Sequence, residues 1–185
     1  LMNQGLALGQ LEYYQDAQIA FEKAINTIQV YLGAEHPLLA TAYNNLGNLN
    51  YQQGFFEQAS ASYQNALDKI QQADVTDPKD WATCLMNLGN CAYEQGNYQE
   101  ALNWYARAKA IFDRPLLLPD LQLNLANNEA KALEALGKTA QTINQLQQLI
   151  EAYQAAQLSP SLKLIDLHLT LGNLYQTNSQ LLNAL

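Results

Sequence analysis

Asn3, Asn45, Asn87 and Asn128 recur along the chain at intervals of 42, 42 and 41 residues. Asn48 and Asn90 each follow a member of that set by three residues, and Asn173 falls in the same second column. Three residues is close to one helical turn, so in a helical chain both columns project from one face. A carboxamide carries a carbonyl acceptor and an N–H donor group, and an extended peptide offers one donor and one acceptor per residue. A row of asparagines therefore has the chemistry to hold a peptide main chain without reading its side chains. Tyr51 and Tyr93, a further turn along, add apolar walls with a polar tip. The candidate peptide-binding residues are thus Asn45, Asn48, Asn87, Asn90, Asn128, Tyr51 and Tyr93. The same amides also suit a structural use, capping or bridging neighbouring helices, and at the level of sequence both uses stay open.

Other chemistry finds little support. His36 and His168 have no matched nucleophile, and the chain holds no zinc-protease helix motif, nucleophile elbow, phosphate-binding loop or dinucleotide glycine fingerprint. Cys84 and Cys91 are seven residues apart. On one helix that is about 10.5 Å along the axis, beyond the roughly 7 Å reach of a disulfide. They read as core thiols. With two distant histidines they are too few and too scattered for a metal site, and His36, next to Pro37, reads as part of a structural turn. The expectation is a protein that is not an enzyme and takes no cofactor or metal. Reduced thiols fit a cytoplasmic setting.

The 185 residues are 49% apolar, enough for a sizeable core, and carry nine Lys plus Arg against seventeen Asp plus Glu. A net charge of −8 repels nucleic-acid phosphates and anionic membranes, which need a basic footprint to release their counterions. Only 14% of the residues are charged; polarity is carried by 22 Gln and 18 Asn, so surface recognition is expected to be amide chemistry. Apolar runs such as Leu116–Leu118 fall far short of the roughly 18 residues a membrane helix needs. The first residues show no basic-then-apolar signal segment.

The asparagine columns belong to a longer internal repeat. Asn45, Leu46, Gly47 and Asn48 match Asn87, Leu88, Gly89 and Asn90 without a gap, and the same offset of 42 aligns Gly54 with Gly96, Phe56 with Tyr98, Ala59 with Ala101, Tyr63 with Tyr105 and Ala66 with Ala108. One period back lie Gly5, Ala17, Phe21 and Ala24; forward lie Ala130, Gly137, Leu146 and Leu149, then Gly172 and Ala184. The spacing predicts two helices per unit, since apolar and small residues recur at three, four and seven, as in Ala59, Tyr63, Ala66 and Ile70. Pro37, Pro78, Pro119 and Pro160, each 41 residues from the next, stand where helices begin. Gly54, Gly96 and Gly137 mark the turn inside a unit, and Gly33 the link ahead of Pro37. Gly47 and Ala59, or Gly89 and Ala101, let the helices of a unit approach, while Phe21, Tyr63 and Tyr105 are expected to fill the gap to the next unit. Glu12 and Ser179 replace the turn glycine in the first and fifth units, and Glu129 and Thr142 depart from the leucine and alanine columns of the fourth.

Leu-Gly, then Gly, an aromatic, Ala, an aromatic and Ala, with the run GAEHPLLATAYNNLGNLNYQQG from Gly33, resembles the tetratricopeptide repeat. The likeness is to its long 42-residue form, similar to the repeats of kinesin light chains and related bacterial arrays. The resemblance spans essentially the whole chain. It implies an all-α, right-handed superhelical solenoid of antiparallel helix pairs: one domain, 1–185, of about four and a half repeats, with units near 1–36, 37–77, 78–118, 119–159 and 160–185. Eight residues beyond the common 34-residue repeat lengthen each helix by about one turn at roughly 1.5 Å per residue. Leu1 is expected inside a first helix and Leu185 a few residues into a second, which suggests a piece of a longer array, because stacked repeats need polar caps.

The resemblance also implies that first helices line a concave groove, where corresponding asparagines in related arrays grip peptide backbones. Of the carboxylate clamp used by chaperone-binding members, Asn48 and Asn87 match the asparagines, but Asn44, Asn124 and Asn128 stand where Lys or Arg is required. A terminal carboxylate would lack a counter-charge there. Glu94, Glu134, Asp166 and Lys131 near the groove favour a neutral to mildly basic protein or peptide. The expected function is non-catalytic protein–protein interaction through the groove, with an extended peptide or a partner helix as ligand. The alternatives are a regulatory, sensory or structural segment acting on an attached effector domain, and self-assembly through the ends of the array. The segment from Arg114 to Pro119 reads either as a hydrophobic contact loop or as packing over helix ends.

Overall fold

The computed structural model describes residues 1–73, 77–112, 119–159 and 161–183, the last four by backbone alone. Arg114–Leu118 of the proposed contact loop, Pro160 and Ala184 lie outside the described residues. Among those described there are nine helices and no strand: α1 (Met2–Gln10), α2 (Tyr14–Leu32), α3 (Leu38–Gln52), α4 (Phe56–Gln72), α5 (Pro78–Glu94), α6 (Tyr98–Lys109), α7 (Pro119–Ala135), α8 (Thr139–Ala155) and α9 (Leu162–Asn183). They pair in chain order, α1 with α2, α3 with α4, α5 with α6 and α7 with α8, and each second helix also meets the first helix of the next pair. The result is an all-α solenoid.

Two helix starts are fixed by side-chain chemistry. Pro78 opens α5, where its missing N–H has no partner to lose, and the Asp77 carboxylate accepts from the Lys79 backbone N–H at 2.8 Å. His36 does similar work for α3, its Nδ1 accepting from the Leu38 N–H at 3.2 Å. Within pairs the turn is one device used four times. Gly54, Gly96 and Gly137 take φ of 80°, 79° and 72°, which lets the next residue's N–H reach back to a carbonyl five residues earlier, as from Asn97 to Ala92 at 2.8 Å. In the first pair Glu12 accepts the same left-handed conformation, φ 63°, and Tyr13 bonds to Leu8 at 3.0 Å.

The fifth unit departs from the sequence expectation. Ser179, in the column of the turn glycines, does not end a helix: α9 runs through it to Asn183. Unlike Glu12, Ser179 does not take the left-handed conformation; its hydroxyl donates to the Gln176 carbonyl at 2.9 Å and the helix continues.

Small residues decide how close the helices come. Ala17, Ala59 and Ala101 are fully buried, and Phe21, Tyr63 and Tyr105 are all but fully buried. A Cβ on Gly47 would stand 2.6 Å from carbons of the Tyr63 ring, and one on Gly89 would overlap Tyr105. The aromatic rings therefore lie against the glycine of their own unit. In the fourth unit Ala130 and Leu146 replace the glycine and the tyrosine, and α7 and α8 touch far less than their counterparts. Thr142, in the alanine column, is buried and satisfies its hydroxyl on the Lys138 carbonyl at 2.9 Å. Glu129, in the leucine column, turns to Lys109 at 3.5 Å.

Candidate functional site

The repeat stacks α3, α5 and α7, so residues one period apart become neighbours. The Tyr63 ring, seated on Gly47, brings its hydroxyl to Asn48 Oδ1 at 2.8 Å. That oxygen also accepts from Asn87 Nδ2 at 3.5 Å, and Asn87 Nδ2 donates to Asn44 Oδ1 at 3.2 Å. One period on, Tyr105 donates to Asn90 Oδ1 at 2.9 Å and Asn128 Nδ2 donates to the same oxygen at 2.9 Å. The carbonyls of Asn48 and Asn90 are thus each shared by a tyrosine of their own unit and an asparagine of the next. The bridging use of the amides is real.

It does not exhaust them. The Nδ2 groups of Asn48 and Asn90 and the Oδ1 atoms of Asn87 and Asn128 have no partner among the described residues. These groups border two adjoining clefts that share Tyr51 and Asn90. The first, of about 120 Å³, runs from Asn48 to Asn87. The second, of about 100 Å³, takes in Tyr93, Glu94, Asn128 and Lys131.

The two tyrosine walls are held from behind. Tyr51 meets Phe56 edge-on with ring centroids 5.3 Å apart, and Tyr93 meets Tyr98 at 5.3 Å in a tilted pair; both partners sit at the start of the following helix. The Tyr51 hydroxyl donates to Glu94 Oε1 at 3.2 Å. Burial first, then the Glu94 charge and that hydrogen bond, push the Tyr51 hydroxyl well above the usual phenol range. Burial raises Tyr93 as well. Both phenols remain neutral donors at any physiological pH.

Six of the seven sequence-derived site residues, all but Asn45, therefore border one continuous pair of clefts. Asn45 is half-buried beside them and touches neither. Asn3 lines a separate hollow with Leu1 and Met2, and Asn173 is exposed on α9. The tyrosine hydroxyls of Tyr63 and Tyr105 went unread as site-forming groups, although each lies fifteen residues after its asparagine. Asn44, considered only as the place of a missing cation, carries a bridging bond.

Residues 1–72 match the family model described as tetratricopeptide repeat. The first two helix pairs are therefore tetratricopeptide-like, and the later pairs repeat the same architecture. Arrays of this family are in general protein–protein interaction modules, typically without catalysis. Residues 51–114 of the array also match the model described as regulator of microtubule dynamics protein 1-3. No curated protein sequence matches the chain. Among solved structures it is similar to a Podosopora anserina protein assigned as a kinesin light chain with nearly identical TPR-like repeats, at 20% identity and a TM-score of 0.77, covering 97% of this chain and 85% of that one. BtubC from P. vanneervenii is similar at 19% identity and 0.72, over 89% and 66%. The N-terminal domain of stress-induced protein-1 from C. elegans is similar at 21% and 0.53, over 67% and 90%. These likenesses carry the solenoid fold.

Cys84 and Cys91 are buried and free, with burial pushing both thiols up to about 12, and Cys84 Sγ donates to the Tyr63 carbonyl at 3.1 Å. Among the described residues no group of three or more His, Cys, Asp or Glu is placed to hold a metal ion, and no helix is long and apolar enough to cross a membrane.

Proposed function

We propose that this array binds an extended peptide of a partner protein along the face formed by α3, α5 and α7. The observation that carries this reading is the row of half-used amides: Asn48 and Asn90 spend their carbonyls on the scaffold and keep their N–H groups, while Asn87 and Asn128 keep carbonyls. Donors and acceptors thus alternate along the clefts, which is the complement of an extended main chain. Because the scaffold bonds fix each amide's rotamer, little side-chain entropy is lost on binding. Tyr51 and Tyr93 wall the path.

Glu94, held at the cleft by Tyr51, and a net charge of −8 support a neutral to mildly basic ligand. The two buried free thiols fit action in the cytoplasm. Selection of 12-residue peptides from a random library on the immobilised array tests the reading. Selected peptides should lose about tenfold or more of their affinity on the Tyr93→Ser/Asn87→Ala array, each main-chain bond being worth about 0.5–1.5 kcal/mol. Peptides that bind this variant as well as the parent, at unchanged folding, would place recognition elsewhere.

A further inference from the structure

Six departures of the fourth helix pair from the repeat border one cavity. Three add bulk at positions that are buried in the third pair: Ala130 stands for Gly89, Thr142 for Ala101 and Leu149 for Ala108. Two remove bulk, Ala126 standing for Leu85 and Leu146 for Tyr105. The sixth changes the chemistry, since Glu129 takes the column of Leu46 and Leu88. In the third pair the same space is closed, because Leu85, Leu88 and Tyr105 are buried and the Tyr105 ring lies on Gly89. In the fourth, α7 and α8 meet less closely, and a space of about 300 Å³ opens between α6, α7 and α8. Packed interiors leave few voids larger than a water molecule, and a recess of this size is in the range of those that hold small organic ligands.

The walls define what fits. Phe112, Leu125, Leu146 and Leu149 give an apolar lining. Thr142 offers no free donor, because its hydroxyl donates to the Lys138 carbonyl at 2.9 Å. The charge in the wall is Glu129, whose side chain is only 22% exposed, against 63% for its partner Lys109. Their contact is long, 3.5 Å, and uses one oxygen, Oε2; Glu129 makes no other hydrogen bond among the described residues. A carboxylate largely withdrawn from water, with an oxygen unused, favours an occupant that brings a cationic donor. The apolar lining favours one with a hydrocarbon body. An anion would be set against Glu129 and repelled.

We infer that this cavity is a binding site for a small hydrophobic amine, a free molecule with one ammonium group on an aromatic or aliphatic body. The body fills the space that Leu85 and Tyr105 take one repeat earlier, and the ammonium donates to Glu129 Oε1. The site shares no residue with the peptide clefts. Its walls come from α6 as well as from α7 and α8, so an occupant ties the third pair to the more loosely packed fourth and stiffens it.

Phenylbutylamine, titrated against the full 185-residue chain, provides the probe, with butylbenzene and phenylbutyrate as its neutral and anionic counterparts. Saturable binding is expected, about tenfold tighter for the amine than for butylbenzene and weakest for phenylbutyrate. Ala126→Leu, which restores the bulk of Leu85, should lower amine affinity at least about tenfold without lowering the melting temperature. Glu129→Gln should erase the preference for the amine and leave butylbenzene binding as it is. Tyr93→Ala should change neither, which separates this site from the peptide clefts. Amide hydrogen exchange in α7 and α8 should slow when the amine is bound. Four results overturn the inference: no saturable amine binding up to tens of millimolar, full affinity in Ala126→Leu, an amine preference that survives Glu129→Gln, and binding that appears only when Leu116, Leu117 and Leu118 are replaced by serine, which would make the chain's own segment the occupant.

Discussion

The Tyr63 hydroxyl donates to Asn48 Oδ1 at 2.8 Å, inside one helix pair, and the oxygen that receives it also accepts from Asn87 in the next pair. A single carbonyl thus ties the packing within a repeat to the stacking between repeats. The bond is made possible by Gly47, which lets the ring approach, and it recurs through Gly89, Tyr105, Asn90 and Asn128. Because stability in stacked arrays is a sum of repeat and interface contributions, a group shared by both couples the two.

Asn48→Ala is expected to destabilise the chain more than Tyr63→Phe. The first leaves the hydroxyl of the nearly fully buried Tyr63 unpaired and removes an inter-repeat acceptor, for a cost of about 1–3 kcal/mol; the second deletes one partner of an oxygen that keeps another, for about 0.5–1.5 kcal/mol. Urea unfolding of both variants checks the order, and an Asn48→Ala midpoint equal to the parent's would refute the coupling.

Two glycines in one column should respond to the same substitution with opposite signs. Gly89→Ala forces a methyl into the Tyr105 ring and is expected to cost about 1–3 kcal/mol, in the range of overpacked cores. Gly172→Ala meets open space in a helix interior and should gain about 0.5–1 kcal/mol from reduced unfolded-state freedom. Thermal melts of the two variants decide it; a destabilised Gly172→Ala would mean that the flank of α9 is covered in solution.

The period of 42 made the helix pairs, their turns and the groove columns readable, because each conclusion needed only residue type and spacing. Gly54, Gly96 and Gly137 could be placed at turns for that reason, and they are there at positive φ. What spacing could not convey was which side of an asparagine is spent. That depends on a tyrosine from another helix reaching it over a glycine, a three-body arrangement that only the packed array defines. Ser179 shows a second limit: the column predicted a turn, but the residue stays helical and α9 runs on.

Glu12→Gly should stabilise the first pair. Glu12 sits at φ 63° in the position that glycine fills at Gly54, Gly96 and Gly137. Left-handed backbone costs a non-glycine residue roughly 1–2 kcal/mol, and the added freedom of glycine in the unfolded chain returns about 0.4–1 kcal/mol of that. The net gain is expected to be up to about 1 kcal/mol. Amide hydrogen exchange in α1 and α2 should slow by a corresponding factor, and unchanged or faster exchange would show that Glu12 makes the turn at no cost.

The thiols of Cys84 and Cys91 give the chain a pH dependence of definite sign. Burial, followed by nearby carboxylate charge, raises both to about 12 from an ordinary value of 9.0. Below pH 9 the thiols are neutral whether the chain is folded or not, and their preference for the folded core is fully present. Above it the unfolded chain ionises first, so the unfolded state is favoured and stability falls as pH rises toward about 12. The raised tyrosines act in the same direction from their ordinary value of 10.0 upward, which makes pH 8 to 10 the window in which the thiols dominate. The urea midpoint should decline across that window, and the Cys84→Ala/Cys91→Ala variant should show a flatter decline whatever its absolute stability. Thiolate is the reactive form, so iodoacetamide at pH 8 should label these cysteines only in urea. Labelling of the native chain at the rate of a free thiol, or an undiminished slope in the double variant, would contradict their burial in the core between α4, α5 and α6.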